Sequence, residues 1–338
     1  MREHGEFGSS VLTLIKKKRL FVFTDLDGTL LDPSDYEWGP AIGLLAELRK
    51  KSIPVVFCTS KTRAEVQDLQ RRMGHKDPYI AENGGILVLP MAFLGRLVPR
   101  GDRPRELVLH LGWKHADILQ VLRELAQRTK VSIRCFHQMT PKEIARTTGL
   151  TLAQSRRAQQ RDASEPFQFV NASAARIRDF QRVARLRGFQ LAQGTRFWHL
   201  TTGSDKGQAM QLVVQLSQIV SGVPALSIAA GDSSIDLPML TQADLPIVLP
   251  QPDGRMNSRL SRALPHALHG SQAGPHGWAH SVKQAVSRLE QSHASTRLPR
   301  PAAIAVGQLV PALREALPLP VREPQWTRTA VRKTTTSR

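Results

Sequence analysis

Leu20-Phe21-Val22-Phe23-Thr24-Asp25-Leu26-Asp27-Gly28-Thr29 decides the fold of this chain. The run Leu20 to Phe23 is continuously apolar, as a strand buried on both faces should be, and it delivers two carboxylates into a glycine turn. In open α/β sheets ligands gather beyond the carboxyl ends of such strands. Residues two apart on an extended segment point the same way, so Asp25 and Asp27 can face one cation or one phosphate. Two anions so placed repel unless a cation stands between them. The competing reading is an ordinary Asp-Gly turn.

A second acidic site tips the balance toward chemistry. Pro224 to Ala230 reads as another buried strand and ends in Gly231-Asp232-Ser233-Ser234-Ile235-Asp236. A hard cation such as Mg²⁺ takes oxygen ligands, usually one or two carboxylates with waters and a phosphate oxygen. Asp25 and Asp232 from neighbouring strands would supply them. Asp236, four residues on, would orient a metal-bound water or cap backbone N–H groups.

These segments resemble the haloacid dehalogenase superfamily of phosphotransferases, whose first and fourth motifs read Asp-x-Asp-Gly-Thr and Gly-Asp-x-x-x-Asp. The second motif matches Val55-Val56-Phe57-Cys58-Thr59-Ser60 and the third Lys206 in Ser204-Asp205-Lys206-Gly207, in the family's order. The resemblance implies that Asp25 is a nucleophile forming an aspartyl phosphate and Asp27 the general acid and base. It implies that Thr59 and Lys206 steady the phosphoryl oxygens. Mg²⁺ would sit on Asp25, the Asp27 backbone carbonyl and Asp232, with Asp236 as ligand or support. The bland alternatives are a helix N-cap for Thr59 and a solvated amine for Lys206.

Along the chain, helices at about Pro40 to Lys51 and Arg63 to Met73 alternate with the strand Ile53 to Cys58 and with Tyr79-Ile80-Ala81, which enters Glu82 to Leu89 with Glu82 at a strand end. That rhythm predicts a doubly wound parallel α/β sheet. After Pro90 it changes. Leu107 to Leu109, Val131 to Phe136, Phe167 to Val170 and Phe197 to Leu200 read as strands, with helices at about Ala116 to Arg128, Pro141 to Gly149 and Ala174 to Arg187. Lying between Thr59 and Lys206, this block looks like the α/β cap of some superfamily members. The expected division is 1–92 and 202–290 as catalytic core, 93–201 as inserted cap and 291–338 as a tail.

A finer resemblance, over roughly Leu20 to Val286, is to the mannosyl-3-phosphoglycerate phosphatases. Its carriers are Phe23 to Asp32, Cys58-Thr59-Ser60-Lys61-Thr62, Ile80-Ala81-Glu82-Asn83-Gly84-Gly85, Gly194-Thr195-Arg196-Phe197-Trp198-His199 and Gly274-Pro275-His276-Gly277-Trp278. It implies a small phosphorylated glycoside as substrate, mannosyl- or glucosyl-3-phosphoglycerate. Ser60-Lys61-Thr62 stands where many relatives carry Thr-Gly-Arg, and Lys61 adds a cation by the phosphate. Substrate contacts are expected from Ser60, Lys61, Glu82, Asn83, Gly84, Arg161, Glu165, Arg196 and His199. A surface pair of Arg161 with Glu165 is the competing account for those two residues.

The 338 residues carry a net charge of +19, and 41% of them are hydrophobic, enough for a large core. The tail from Gln291 holds eight Lys and Arg against Glu315 and Glu323, with six prolines, and reads as largely disordered apart from a short helix around Val306 to Ala316. Two cysteines, Cys58 and Cys135, outside any metal-ligand spacing, point to a reduced cytoplasmic setting. The apolar stretch after Lys16-Lys17-Lys18-Arg19 is too short for a signal peptide or a membrane span. Two rival functions remain in view: a broader sugar-phosphate phosphatase, and a non-catalytic binder of nucleic acid or another polyanion, which the complete acid motifs disfavour.

Overall fold

The computed structural model describes residues 18–95, 104–193, 197–201 and 204–292. The tail from residue 293, its expected helix and Arg196 lie outside the described residues. The strands of the larger sheet are β1 (Arg19–Thr24), β2 (Val55–Cys58), β3 (Tyr79–Ala81), β4 (Ile86–Pro90), β5 (Glu106–His110), β10 (Ala225–Gly231), β11 (Leu245–Val248) and β12 (Leu268–His269). The smaller sheet holds β6 (Ser132–Cys135), β7 (Pro166–Val170), β8 (Gln190–Gln193) and β9 (Trp198–Thr201). Helices α1 (Ile42–Lys50), α2 (Arg63–Met73), α3 (Met91–Leu94), α8 (Lys206–Ser221), α9 (Leu237–Gln242), α10 (Ser258–Ala263) and α11 (Gly274–Ser292) accompany the first sheet. With the second go α4 (His115–Thr129), α5 (Pro141–Thr148), α6 (Leu152–Ala158) and α7 (Ala174–Leu186).

Strand order in the eight-stranded sheet is β12-β11-β10-β1-β2-β3-β4-β5. β1 lies between β10 and β2, parallel to both, with Phe23 opposite Ala229 on one side and Val56 on the other. Phe21, Val22 and Phe23 are fully buried, which explains the unbroken apolar run; each Phe contributes about 1.5–3 kcal/mol on burial. The chain proceeds from β1 outward through β2 and β3, then returns to the other side through β10. The crevice beyond the carboxyl ends of β1 and β10 therefore lies at a topological switch point.

Two features differ from the sequence reading. The sheet is mixed, because β3–β4 and β4–β5 are antiparallel. Leu107 to Leu109, expected in the cap, lies in β5 and extends this sheet, with Leu107 opposite Leu89. An apolar edge strand looks the same in sequence whichever sheet it joins.

The cap sheet runs β6-β7-β9-β8, all pairs antiparallel. Its own core packs Phe167, Phe180 and Leu200 with Ile118, Leu122 and Leu125 of α4. The Gln- and Arg-rich stretch after Thr151 forms α6, started by a capping box between Thr151 and Gln154. No helix among the described residues is long and apolar enough to cross a membrane.

Candidate active site

Asp25 follows β1 directly, and its N–H continues the ladder by donating to Ala230 O at 2.9 Å. Asp232 follows β10 in the same way, so the two strands present their carboxylates side by side. Gly28 has φ +82, and a Cβ there would stand 3.1 Å from Asp232 Oδ2, so the glycine of the first motif makes room for the aspartate of the fourth. Thr29 Oγ1 donates to Asp232 Oδ1 at 3.3 Å.

Lys206, first residue of α8, is buried and binds two carboxylates: Nζ lies 2.6 Å from Asp25 Oδ1 and 2.7 Å from Asp236 Oδ1. Burial alone would lower its pKa, but Asp236 and Asp25 hold it above the usual ammonium range. The other oxygen of Asp236 accepts from Ser233 N–H at 3.0 Å and Ser233 Oγ at 2.9 Å. Asp25, Asp232 and Asp236 can place one carboxylate oxygen each within 4.8 Å of one another. Burial pushes the Asp25 carboxyl up to about 7 despite the pull of Lys206, and burial with the Asp236 charge pushes Asp232 up to about 8. Three buried carboxylates face one ammonium. That surplus of hard oxygen charge fits a divalent cation such as Mg²⁺.

Thr59 follows β2, buried, with its Oγ1 accepting from Lys61 N–H at 3.1 Å. A capping box between Thr62 and Glu65 starts α2 and fixes the far end of this loop. Lys61 Nζ lies 2.8 Å from Asp27 Oδ1 and 4.8 Å from the centre of the Tyr36 ring. Asp27 and the neighbouring Glu65 raise its pKa against the effect of burial.

A cavity of about 200 Å³ joins these groups to the cap. Asp25, Asp27, Lys206 and Asp232 form its floor, Ser60, Lys61 and Asn83 its side, and Arg161, His199, Phe136 and Phe197 its cap wall. His199 is buried with no hydrogen-bond partner for Nδ1 among the described residues. Burial, then Arg161 and Lys206, lower its pKa to about 3, so the ring is neutral. A wider cleft of about 490 Å³ opens on the other side of Lys206 and Asn83, between Arg185 and Arg259, but none of the four aspartates lines it.

Three expected substrate contacts are placed differently. Glu82 is buried outside this cavity, its carboxylate occupied by cap donors Asp162 N–H, Ala163 N–H and Ser164 Oγ at 2.6–3.0 Å. Gly84 packs against the Asp205–Lys206 peptide, a contact of backbone on backbone. Glu165 is fully buried in the cap, 2.6 Å from His115 Nε2 and 3.0 Å from His137 Nδ1, with His137 N–H donating at 2.9 Å. Burial would raise its pKa, yet these bonds hold it low. Cys135 lies near enough to complete a second group of metal-ligating types, but hydrogen bonds already engage both Glu165 oxygens. Arg161 pairs with carbonyls and not with Glu165. Sequence reading missed Tyr36, whose Oη donates to Thr148 O of the cap at 3.1 Å. Its position in a turn after Asp32 carries no motif that would have singled it out.

The family model of haloacid dehalogenase-like hydrolases matches residues 22–92. A glucosyl-3-phosphoglycerate/mannosyl-3-phosphoglycerate phosphatase of Persephonella marina is 34% identical over 80% of this chain and 99% of its own. The chain belongs to this phosphatase family within the haloacid dehalogenase-like hydrolases. A relative of the same description from Methanococcoides burtonii is 30% identical over 79% of this chain and 97% of its own. In fold, a solved phosphatase from Bacteroides thetaiotaomicron aligns with TM-score 0.55 at 17% identity, covering 81% of this chain and 96% of that one. A Thermoplasma acidophilum structure aligns at 0.54 and 18%, over 81% and 99%.

Proposed function

We propose that the protein removes phosphate from a glycosyl-3-phosphoglycerate, mannosyl or glucosyl, leaving the glycosylglycerate. The observation that carries this reading is a pair of cations, Lys61 on the core and Arg161 on the cap, facing one cavity whose floor holds Asp25. Such a substrate bears two anionic groups, a phosphate and a carboxylate, joined to a polyol. One cation from the core and one from the cap suit those two charges. Neutral His199, with an open ring nitrogen, suits a sugar hydroxyl. The relatives' described substrates agree with it.

In this reading Asp25 attacks phosphorus and becomes the aspartyl phosphate, splitting a difficult hydrolysis into two steps. Asp27, beside Asp25 in the cavity, gives a proton to the departing glycerate oxygen and later takes one from the attacking water. Lys206 keeps Asp25 aimed and stands beside the phosphoryl oxygens; Thr59 donates its hydroxyl to one of them. Asp25, the Asp27 carbonyl and Asp232 would hold Mg²⁺, which when bound neutralises charge on the transferred group. Asp236, both oxygens engaged, supports Lys206 and the Ser233 turn from behind.

Phosphate release is measured from mannosyl- and glucosyl-3-phosphoglycerate, with and without Mg²⁺, beside Asp25→Asn and simple hexose phosphates. Metal-dependent release that the variant lacks is the expected result. Release from hexose phosphates alone would favour the broader sugar-phosphate phosphatase.

A further inference from the structure

The turn between β3 and β4 bears a buried carboxylate that touches neither substrate space nor metal ligands. Glu82 Oε1 accepts Asp162 N–H at 2.9 Å, and Oε2 accepts Ala163 N–H at 3.0 Å and Ser164 Oγ at 2.6 Å. All three donors belong to the cap. Ser164 Oγ in turn accepts from Arg161 Nη1 at 3.1 Å, and the same nitrogen donates to Ser60 O at 2.8 Å, back on the core. Meanwhile Asn83 N–H donates to Thr59 O at 2.9 Å and Glu82 N–H to Lys61 O at 3.0 Å. Three successive carbonyls of the loop carrying Thr59, Ser60 and Lys61 are therefore held, two by the turn and the middle one by the cap arginine.

We infer that Glu82 and Ser164 are positioning residues: they form a relay that sets Arg161 against the cavity. The inference rests on the cavity reading above for the part played by Arg161. Its physical basis is the number of partners. One charged acceptor gathers two amides and a hydroxyl from three consecutive cap residues, and bonds to an ionised group are the strong ones. Glu82 and Asn83 adopt φ +52 and +58, a conformation unfavourable to side-chain-bearing residues. Such strain persists where surrounding contacts over-determine it. A ligand that fills the cap needs Arg161 in place; a small aryl phosphate needs only the floor of the cavity.

The test uses Glu82→Gln and Ser164→Ala in the full chain, with glycosyl-3-phosphoglycerate and p-nitrophenyl phosphate as paired substrates. Glu82→Gln is expected to lower kcat/KM for the glycoside about 10- to 100-fold, mainly through KM, the loss of one or two bonds to a charged group. Turnover of the aryl phosphate should change by less than about threefold, since its contacts survive. Ser164→Ala, which keeps the Arg161 bond to Ser60, should show the same split at about 2- to 10-fold and decides the matter if Glu82→Gln does not fold. Equal loss on both substrates, or no loss on either, overturns the inference. Amide exchange is followed alongside: Asp162 and Ala163 should be protected in the wild type and released in Glu82→Gln, with β1 unchanged. Identical exchange in the two proteins also overturns it, whatever the substrate. Wild-type activity confined to hexose phosphates would instead sink the substrate reading, and the split would then be read on glucose 6-phosphate.

Discussion

Gly84→Ala should damage catalysis from outside the cavity. A Cβ at position 84 would stand 2.3 Å from both the carbonyl carbon and oxygen of Asp205 and 2.8 Å from Lys206 N, where ordinary contact begins near 3.4 Å. The turn and the start of α8 must therefore part by about 1 Å, and because the obstructing atoms are backbone, no rotamer change relieves the clash. Lys206 is the first residue of that helix. A shift of about 1 Å would stretch its 2.6 and 2.7 Å bonds to Asp25 and Asp236 beyond hydrogen-bonding range. Misplacement of that size costs on the order of 100-fold in rate. The φ of +101 adds strain of about 1–3 kcal/mol for any residue with a side chain. Steady-state phosphate release and urea unfolding measure the two effects separately. Gly74→Ala is the control: φ is +59 there with nothing within 4 Å of the added carbon, so stability should fall by about 1 kcal/mol with kcat unchanged. A Gly84→Ala protein whose kcat stays within about threefold of wild type would refute the reasoning.

Lys206→Met leaves Asp25, Asp232 and Asp236 without their ammonium; unfolding in chelator should show a loss of about 3–5 kcal/mol, smaller when Mg²⁺ is present. An equal loss in both conditions would argue against a cation among the carboxylates. The raised Asp25 and Asp232 pKa values, about 7 and about 8 against an ordinary 3.8, mean the metal-free fold binds protons that the unfolded chain has released. Its stability should decline as pH rises from about 4 through about 8, so the increase in Tm on adding Mg²⁺ should grow between about pH 6 and about pH 8.5. A flat increment counts against the assignment. Tyr36→Phe removes the core-to-cap bond to Thr148 O; kcat/KM for a glycosyl-3-phosphoglycerate should fall about 2- to 10-fold with p-nitrophenyl phosphate turnover unaffected.

The acidic floor was legible in sequence because each part is local. An apolar run ending in Asp needs no knowledge of distant partners, and Asp25, Asp232 and Lys206 meet as their motifs imply. Glu82 and Glu165 were not legible in their actual surroundings, because what surrounds them arrives from far along the chain. The donors to Glu82 lie 80 to 82 residues on, and His115 lies 50 residues before Glu165. A buried carboxylate and a substrate-binding one look alike until its partners are known. The Gly84-Gly85 pair did carry a usable signal. Glycines there announce close approach, of the Asp205 backbone at Gly84 and of Ala163 at Gly85, where an added Cβ would meet the Ala163 Cβ at 2.7 Å.

The charge of the whole chain and the charge of its site point in opposite directions, and that contrast separates the two classes of function. At +19 the chain would attract polyanions on charge alone. Yet it buries Asp25, Asp232 and Asp236 together, where desolvation opposes ionisation. A binder of polyanions gains nothing from such a cluster, which repels its ligand and destabilises the fold near neutral pH. A phosphatase gains a nucleophile, metal ligands and a lysine held in register by the same carboxylates. The net positive charge of the chain suits a simpler use: it would offset the negative charge of the acidic floor for an incoming dianion, and that attraction should weaken with salt in the on-rate far more than in the chemical step.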